Sequence, residues 1–365
     1  MSCFLDQPGV LAPFVVGNRS RAFGAGLDPF AYERVTDRLE SLYDWPAAFR
    51  AVGDRLVAVA DEAVARGRTV SAAEALRSAA RWFHFATLVP HPDSGLREAA
   101  ATAADEAMTR ALRLVEPSAV RLRGAAFAGR LRRPAGNGGP VPVAVLVPGL
   151  DSAKEEFHGV AGALLARGVA VCSVDGPGQG VLATSSAPRA DYDRVVAEVI
   201  DVLAAREDVD AGRVGVIGMS LGGYYAAVSA AREPRVRAAV AVSGPYRLTW
   251  EELPLFVTDT LTQRCGSRDA ARDFAGRVDL REAAPTIGCP VLVVEGATDD
   301  IPGVEHGASL ARTAPGAALL AVPHGDHLLG NARPDWLAAT ADWLAGHLLS
   351  GARPVPQPAS SSGLP

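Results

Sequence analysis

The chain has 365 residues, 48% of them apolar and 21% charged, enough to bury a sizeable core in one large domain plus a smaller one. A formal charge of −5 excludes a basic face for nucleic acid and a polybasic stretch for an anionic membrane, leaving a small molecule as the expected partner. The stretch before Phe30 carries Arg19 and Arg21 among broken apolar patches, without the apolar run of a secretion signal. No stretch approaches the roughly 18 apolar residues of a membrane span. Cys3, Cys172, Cys265 and Cys289 lie far apart with no C-x-x-C or metal-ligand spacing, as expected of a soluble protein in a reducing cytoplasm. Lys154 is the single lysine among 36 basic residues, a hint that this position wants an ammonium.

Residues from about Asp28 to Glu116 read as helices with no strand candidate. Leu39, Leu42, Tyr43, Phe49, Leu56 and Val59 recur near helical spacing. Ala75, Leu76, Ala79, Ala80, Phe83 and Ala86 do the same behind a cap at Ser71, with Glu74 three residues on. A third helix runs from Ser94 to Val115 and ends before Pro117. Trp82, Phe83 and Phe85 form a cluster too apolar for water, so it is expected to pack on the later part of the chain or on a second subunit. Residues 1–118 thus read as a helical region that covers a site built elsewhere.

From Val120 the pattern changes. Val120 to Leu131 reads as an antiparallel pair and Pro134 to Pro142 as a loop. Strand-like runs follow at Val143–Val147, Val169–Val174, Val214–Ile217, Val236–Val242, Val291–Val294 and Ala318–Val322. Between and after them lie helical segments at Glu155–Arg167, Asp191–Arg206, Leu221–Arg232, Val304–Thr313 and Asp335–Leu349. This alternation over residues 119–350 implies a mostly parallel sheet covered by helices on both faces. The longest interruption, Gly244 to Thr286, is partly helical and reads as a small lid. The Pro- and Ser-rich tail, 351–365, reads as disordered.

Chemistry gathers in the loops after strands. Gly218-Met219-Ser220-Leu221-Gly222 matches G-x-S-x-G, follows a strand and opens a helix, which is the context of a nucleophile elbow. The reading is an α/β-hydrolase fold with Ser220 as nucleophile and an N-terminal helical cap domain. The chain order Ser, Asp, His places the acid after Val291–Val294 and the base after the last strand. Asp299, three residues beyond Gly296, is the expected acid, with Asp300 capping or bracing the loop. In His324-Gly325-Asp326-His327 the expected base is His327, with His324 a pocket or packing residue. The second oxyanion donor belongs to the loop after Val143–Val147, so the N–H groups of Leu150 and Leu221 form the expected hole. Ser152 with Glu155 reads as a capping box that starts a helix. Asp151, beside the hole, must point away, be paired or be protonated, and reads equally as a helix-end charge or a functional group. Asp175-Gly176-Pro177-Gly178-Gln179-Gly180 reads as a rigid turn that orders the site without doing chemistry, and His84 as a buried, hydrogen-bonded residue. Such a serine mechanism needs no metal or organic cofactor.

At these loops the chain resembles the α/β-hydrolase family of 2,6-dihydroxypseudooxynicotine hydrolase and the fungal heptaketide-shortening hydrolases. The residues that carry the resemblance are Gly149-Leu150-Asp151-Ser152 with Lys154-Glu155-Glu156, the turn from Asp175 to Gly180, and the elbow continued by Gly223-Tyr224. In the helical region they are Trp45-Pro46, Phe49 and Ala73-Glu74, leading to Ala80, Trp82, Phe83 and His84. The resemblance implies hydrolysis of a carbon–carbon bond in an aryl ketone or 1,3-diketone. It also implies a homodimer whose helical N-terminal domain closes over the site. Ser220, Asp299 and His327 fall on the triad positions, and Asp151 falls where the family has an acidic residue near the substrate. Pro148 stands where the family often has Gly, and Val181 where an acidic residue is common, departures that bear on the substrate rather than on the nucleophile. An esterase or thioesterase, or an acyltransferase or cyclase of natural-product assembly, would use the same machinery.

Overall fold

The computed structural model describes residues 3–136 and 139–350, so the tail expected to be disordered lies outside the described residues. Helices come first: α1 (Leu11–Ala25), α2 (Pro29–Thr36), α3 (Trp45–Ala65), α4 (Thr69–Phe85) and α5 (Ser94–Val115). No sequence pattern announced α1, because Pro13 and Gly17 lower its helix propensity and its apolar residues favour no single face. Packing against the turn His327–Ala332 holds it instead. α2 starts where the Asp28 carboxylate accepts the Ala31 N–H at 2.7 Å, with Pro29 in the first turn. α4 starts at Thr69, so Ser71 lies inside the helix and is not its cap.

The aromatic cluster is buried, but among the helices themselves. Trp82 and Phe85 pack with Phe14, Tyr32, Trp45 and Phe49, whereas Phe83 packs with Ala60, Leu76 and Met108. Trp45 stacks on Phe49 with ring centroids 4.1 Å apart and donates its indole N–H to Phe85 O at 2.8 Å. The helical region therefore has its own core, which corrects the expectation that these rings seek the later chain or a partner.

The strands are β1 (Val120–Arg123), β2 (Ala128–Arg132), β3 (Val141–Val147), β4 (Ala170–Asp175), β5 (Val209–Met219), β6 (Val236–Val242), β7 (Arg247–Leu248), β8 (Val291–Gly296), β9 (Val304–Glu305) and β10 (Ala317–Val322). Among the described residues they form an eight-stranded sheet in the order β1-β2-β4-β3-β5-β6-β8-β10, with β7 and β9 as a separate small pair. β1 and β2 run antiparallel at one edge and the other strands run parallel. β3 and β4 are buried at every position, as parallel strands covered on both faces must be. One face packs on α7 (Asp193–Ala204) and α8 (Leu221–Arg232) through Val199, Ile200 and Tyr225. The other packs on α6 (His158–Leu165) and, near the C-terminus, the helix Arg333–Leu349 through Leu164 and Leu344.

Two expected helices begin a turn or so later than the pattern suggested, and a third, α7, by two residues, at Asp193 rather than Asp191. α6 opens at His158 because the side chains of Ser152 and Glu155 are engaged by Arg21 and Arg130 and do not cap each other. Val304 pairs with Leu248 in the β7–β9 ladder, so the helix after it covers only Ala308–Thr313. The register sets the functional edge. Val147 lies opposite Gly218, Met219 opposite Val242, Val242 opposite Val294, and Gly296 opposite Val322. The strands thus end level, and the loops after β3, β5, β8 and β10 converge. Among the described residues no helix is long and apolar enough to cross a membrane.

Candidate active site

Ser220 sits between β5 and α8 at φ 55° and ψ −128°, where residues with a side chain are rare. Its N–H donates to Val242 O at 2.8 Å, and its carbonyl accepts the Gly223 N–H at 2.6 Å. The turn tolerates only glycine at 222, because a Cβ there would lie 2.3 Å from Val147 O. His327 Nε2 is 2.9 Å from Ser220 Oγ, and its Nδ1 is 2.8 Å from Asp299 Oδ2. The Asp299 side chain is only 3% exposed, so water screens its interaction with the ring little. Leu328 and Leu329, at φ 68° and 51°, reverse the chain just after His327, and the Leu328 N–H donates to Ser243 Oγ at 3.2 Å. Thr298 ties the acid loop to the histidine loop, its N–H and Oγ1 donating to Gly325 O at 3.0 and 2.7 Å.

The structure brings Ser220, Asp299 and His327 together and leaves the alternatives outside. Asp300 is exposed. His324 is 64% exposed and meets Asp335 at 3.1 Å, a surface contact that corrects its reading as a pocket or packing residue. His306, which no pattern singled out, has its Nδ1 4.0 Å from Asp299 Oδ2.

A cavity of about 280 Å³ opens at Ser220 and His327. Its apolar wall includes Leu248, Phe256, Val257 and Leu261, the last three on α9 (Leu255–Cys265) of the Gly244–Thr286 interruption. Leu150 and Leu221 also line it. Gly149 approaches the elbow so closely that a Cβ would stand 3.0 Å from Ser220 Cβ. Leu221 opens α8, where N–H groups lack intrahelical acceptors and the helix end carries partial positive charge. Among the described residues no backbone carbonyl takes the Leu150 or Leu221 N–H.

Asp151 lines the cavity and is paired. Arg21, on α1, donates from Nη1 to Asp151 Oδ2 at 2.8 Å, from Nε and Nη2 to Glu156 at 2.7 and 2.8 Å, and from Nη2 to Ser152 Oγ at 3.0 Å. Burial alone would raise the Glu156 pKa, but the Arg21 charge and hydrogen bonds from Arg21 and His84 hold it well below the usual carboxylate range. His84, buried as expected, meets Glu156 Oε2 through Nε2 at 2.7 Å. Sequence reasoning missed Arg21, whose only signal was a basic residue in a stretch without helical pattern.

Lys154 turns away from Asp151 into a second charged cluster. Its Nζ lies 2.6 Å from Asp175 and 3.1 Å from both Asp105 and Glu155. Arg130 joins Asp105 and Glu155 at 2.8 and 3.2 Å. Burial opposes the Lys154 charge, but the three carboxylates raise its pKa above the ordinary lysine value. The cluster fastens α5 to β2, to the end of β4 and to the loop that carries Leu150.

Residues 162–351 match the Prolyl oligopeptidase family. The chain belongs to that family of α/β-hydrolases and is a hydrolase with an added N-terminal helical region. It is 30% identical over 307 residues to 2,6-dihydropseudooxynicotine hydrolase of Paenarthrobacter nicotinovorans, across 81% of this chain and 83% of that protein. A solved structure of 2,6-dihydroxy-pseudo-oxynicotine hydrolase superposes with a TM-score of 0.81 at 28% identity, covering 93% of this chain and 98% of that one. The chain is also 33% identical over 231 residues to 20-hydroxy-prefusarin hydrolase FUS2 of Gibberella moniliformis. That alignment covers 58% of this chain and 55% of the fungal protein, so the chain spans about half the fungal relative's length. The resemblance read in the loops holds.

Proposed function

We propose that this hydrolase cleaves a carbon–carbon bond next to a carbonyl, in an aryl ketone or 1,3-diketone, through an acyl-enzyme on Ser220. The observation that carries this reading is the hydrogen-bonded line Asp299–His327–Ser220 at the head of an apolar cavity with a paired carboxylate, Asp151, on its wall. Ser220 Oγ attacks the carbonyl carbon as His327 Nε2 takes its proton, and Asp299 fixes the ring and stabilises the imidazolium. The oxyanion rests on the Leu150 and Leu221 N–H groups. When the intermediate collapses, the carbon–carbon bond breaks and the departing carbon takes the proton from His327. A carbanion is a poor leaving group, so that carbon belongs to an enolate or an electron-rich ring. Asp151, paired with Arg21, accepts a hydrogen bond from an enol or phenol hydroxyl of that group and raises electron density on the carbon to be protonated. Water activated by His327 then hydrolyses the acyl-enzyme.

The helical region acts as the cap of this site, since Gly17, Asn18 and Arg21 of α1 stand on the cavity wall. Relatives named for hydrolysis of 2,6-dihydropseudooxynicotine and 20-hydroxy-prefusarin support a small-molecule substrate. The test is incubation with an aryl 1,3-diketone and with an aryl ester, the products being identified by mass. Asp151→Asn is expected to slow ketone cleavage by at least about 10²-fold while leaving aryl-ester hydrolysis within about fivefold. Equal losses on both substrates make Asp151 a brace for its loop. Ester turnover without any ketone cleavage by the native enzyme makes the protein an esterase.

A further inference from the structure

The turn from Asp175 to Gly180 contains a side chain that reaches the catalytic loop. Gln179 is 2% exposed, and all four hydrogen-bonding capacities of its amide are used. Oε1 accepts from the Gly176 N–H at 2.8 Å and from the Tyr192 hydroxyl at 2.9 Å. Nε2 donates to Pro148 O at 2.6 Å and to Gly149 O at 3.1 Å. A half-turn of the amide would set its NH₂ against the Gly176 N–H and its oxygen against two carbonyls, so the network admits one orientation. Tyr192 is itself fully buried and stacked on Tyr225, with ring centroids 4.0 Å apart, which fixes the donor behind Gln179.

In a planar trans peptide the carbonyl and the following N–H point to opposite sides. Gln179 holds the Gly149 carbonyl, so the Leu150 N–H must face the other way. The Gly149 Cα already touches the elbow, close enough that a Cβ would meet Ser220. We infer that Gln179 is a positioning residue for the oxyanion hole: by anchoring the Gly149 carbonyl it aims the Leu150 N–H at the developing oxyanion. Tyr192 is the second link of the same chain, acting only through Gln179. The inference rests on the serine mechanism proposed above and adds a residue that touches neither substrate nor Ser220.

The test compares an activated aryl ester with its thionoester, whose developing sulfur anion accepts hydrogen bonds weakly. Gln179→Glu keeps the shape but cannot donate to two carbonyls, and Gln179→Leu removes the donors altogether. Both are expected to lower kcat on the oxygen ester by about 10- to 10²-fold, with KM within about threefold and thionoester turnover within about threefold. Tyr192→Phe disturbs the fold least and is expected to show a smaller loss with the same selectivity. Equal losses on the two esters in folded protein overturn the inference and make Gln179 a packing residue, as does unchanged kcat in all three variants. Ser220→Ala is measured alongside. Turnover surviving in that variant sinks the serine mechanism and this inference with it. An inactive Ser220→Ala beside fully active Gln179 variants sinks the inference alone.

Discussion

Ser220 keeps an uncommon backbone conformation because the strand before it, the helix after it and Gly222 leave it no other. Ser220→Ala should therefore fold normally yet lose about 10⁴- to 10⁶-fold of kcat, read by steady-state kinetics beside a thermal melt. Asp299→Asn should cost about 10⁴-fold by misorienting the imidazole, whereas the exposed Asp300→Asn should cost little. His327→Ala and His324→Ala should divide the same way. If Asp300→Asn or His324→Ala proves the more damaging of its pair, the roles assigned at that loop are wrong. These three residues were legible in the sequence because each follows a strand at short range, within a glycine-marked loop. Arg21 was not, because its partners Asp151 and Glu156 lie 130 and 135 residues away and no local pattern records such a pairing.

Among the elements, the eight strands of the large sheet and the helices α3 to α5 were legible from apolar periodicity, with errors at the ends where a side chain is claimed by another part of the chain, whereas the two-residue strands β7 and β9 were too short to show a pattern. Ser152 and Glu155 have the spacing of a capping box, but Arg21 and Arg130 take their oxygens. α1 was invisible for the complementary reason, being held by what it touches rather than by its own composition. Arg21→Met leaves Glu156 buried without its guanidinium, and the expected cost is about 3–5 kcal/mol in a denaturant titration. The same pair makes stability depend on acid. The folded-state pKa of Glu156 is depressed, so its contribution is complete above the unfolded value, about 4.3, and is lost as pH falls below that. Thermal melts of the native protein should thus decline steeply below about pH 4.3, and Glu156→Gln should flatten that decline while lowering the melting temperature at neutrality. Parallel pH profiles for the two proteins would remove Glu156 from the explanation.

At the scale of the whole molecule, the two parts meet through charge as much as through apolar surface. Lys154 and Arg130 reach Asp105 on α5, and Arg21 reaches the loop after β3. A shortened chain beginning at Ala119 would leave the Lys154 cluster without Asp105 and the cavity without its α1 wall. It is expected to be poorly soluble and inactive, as judged by sedimentation and by turnover of a bulky ketone. Full activity from that chain would refute the covering role of the helices.

The separate aromatic core of the helical region also bears on synthesis. A ribosome delivers α1 to α5 before any strand, and N-terminal units generally fold as they emerge. With Trp45, Phe49, Trp82 and Phe85 satisfied among themselves, the nascent helices need not wait for the sheet to hide their rings. What waits is Arg21 and Asp105, hydrated and unmatched until Arg121, Arg130, Asp151, Lys154 and Glu156 begin to be translated. A stalled chain long enough to expose Glu116 but not Val120 should already be helical and soluble, and the later half should then dock on it by matching charges.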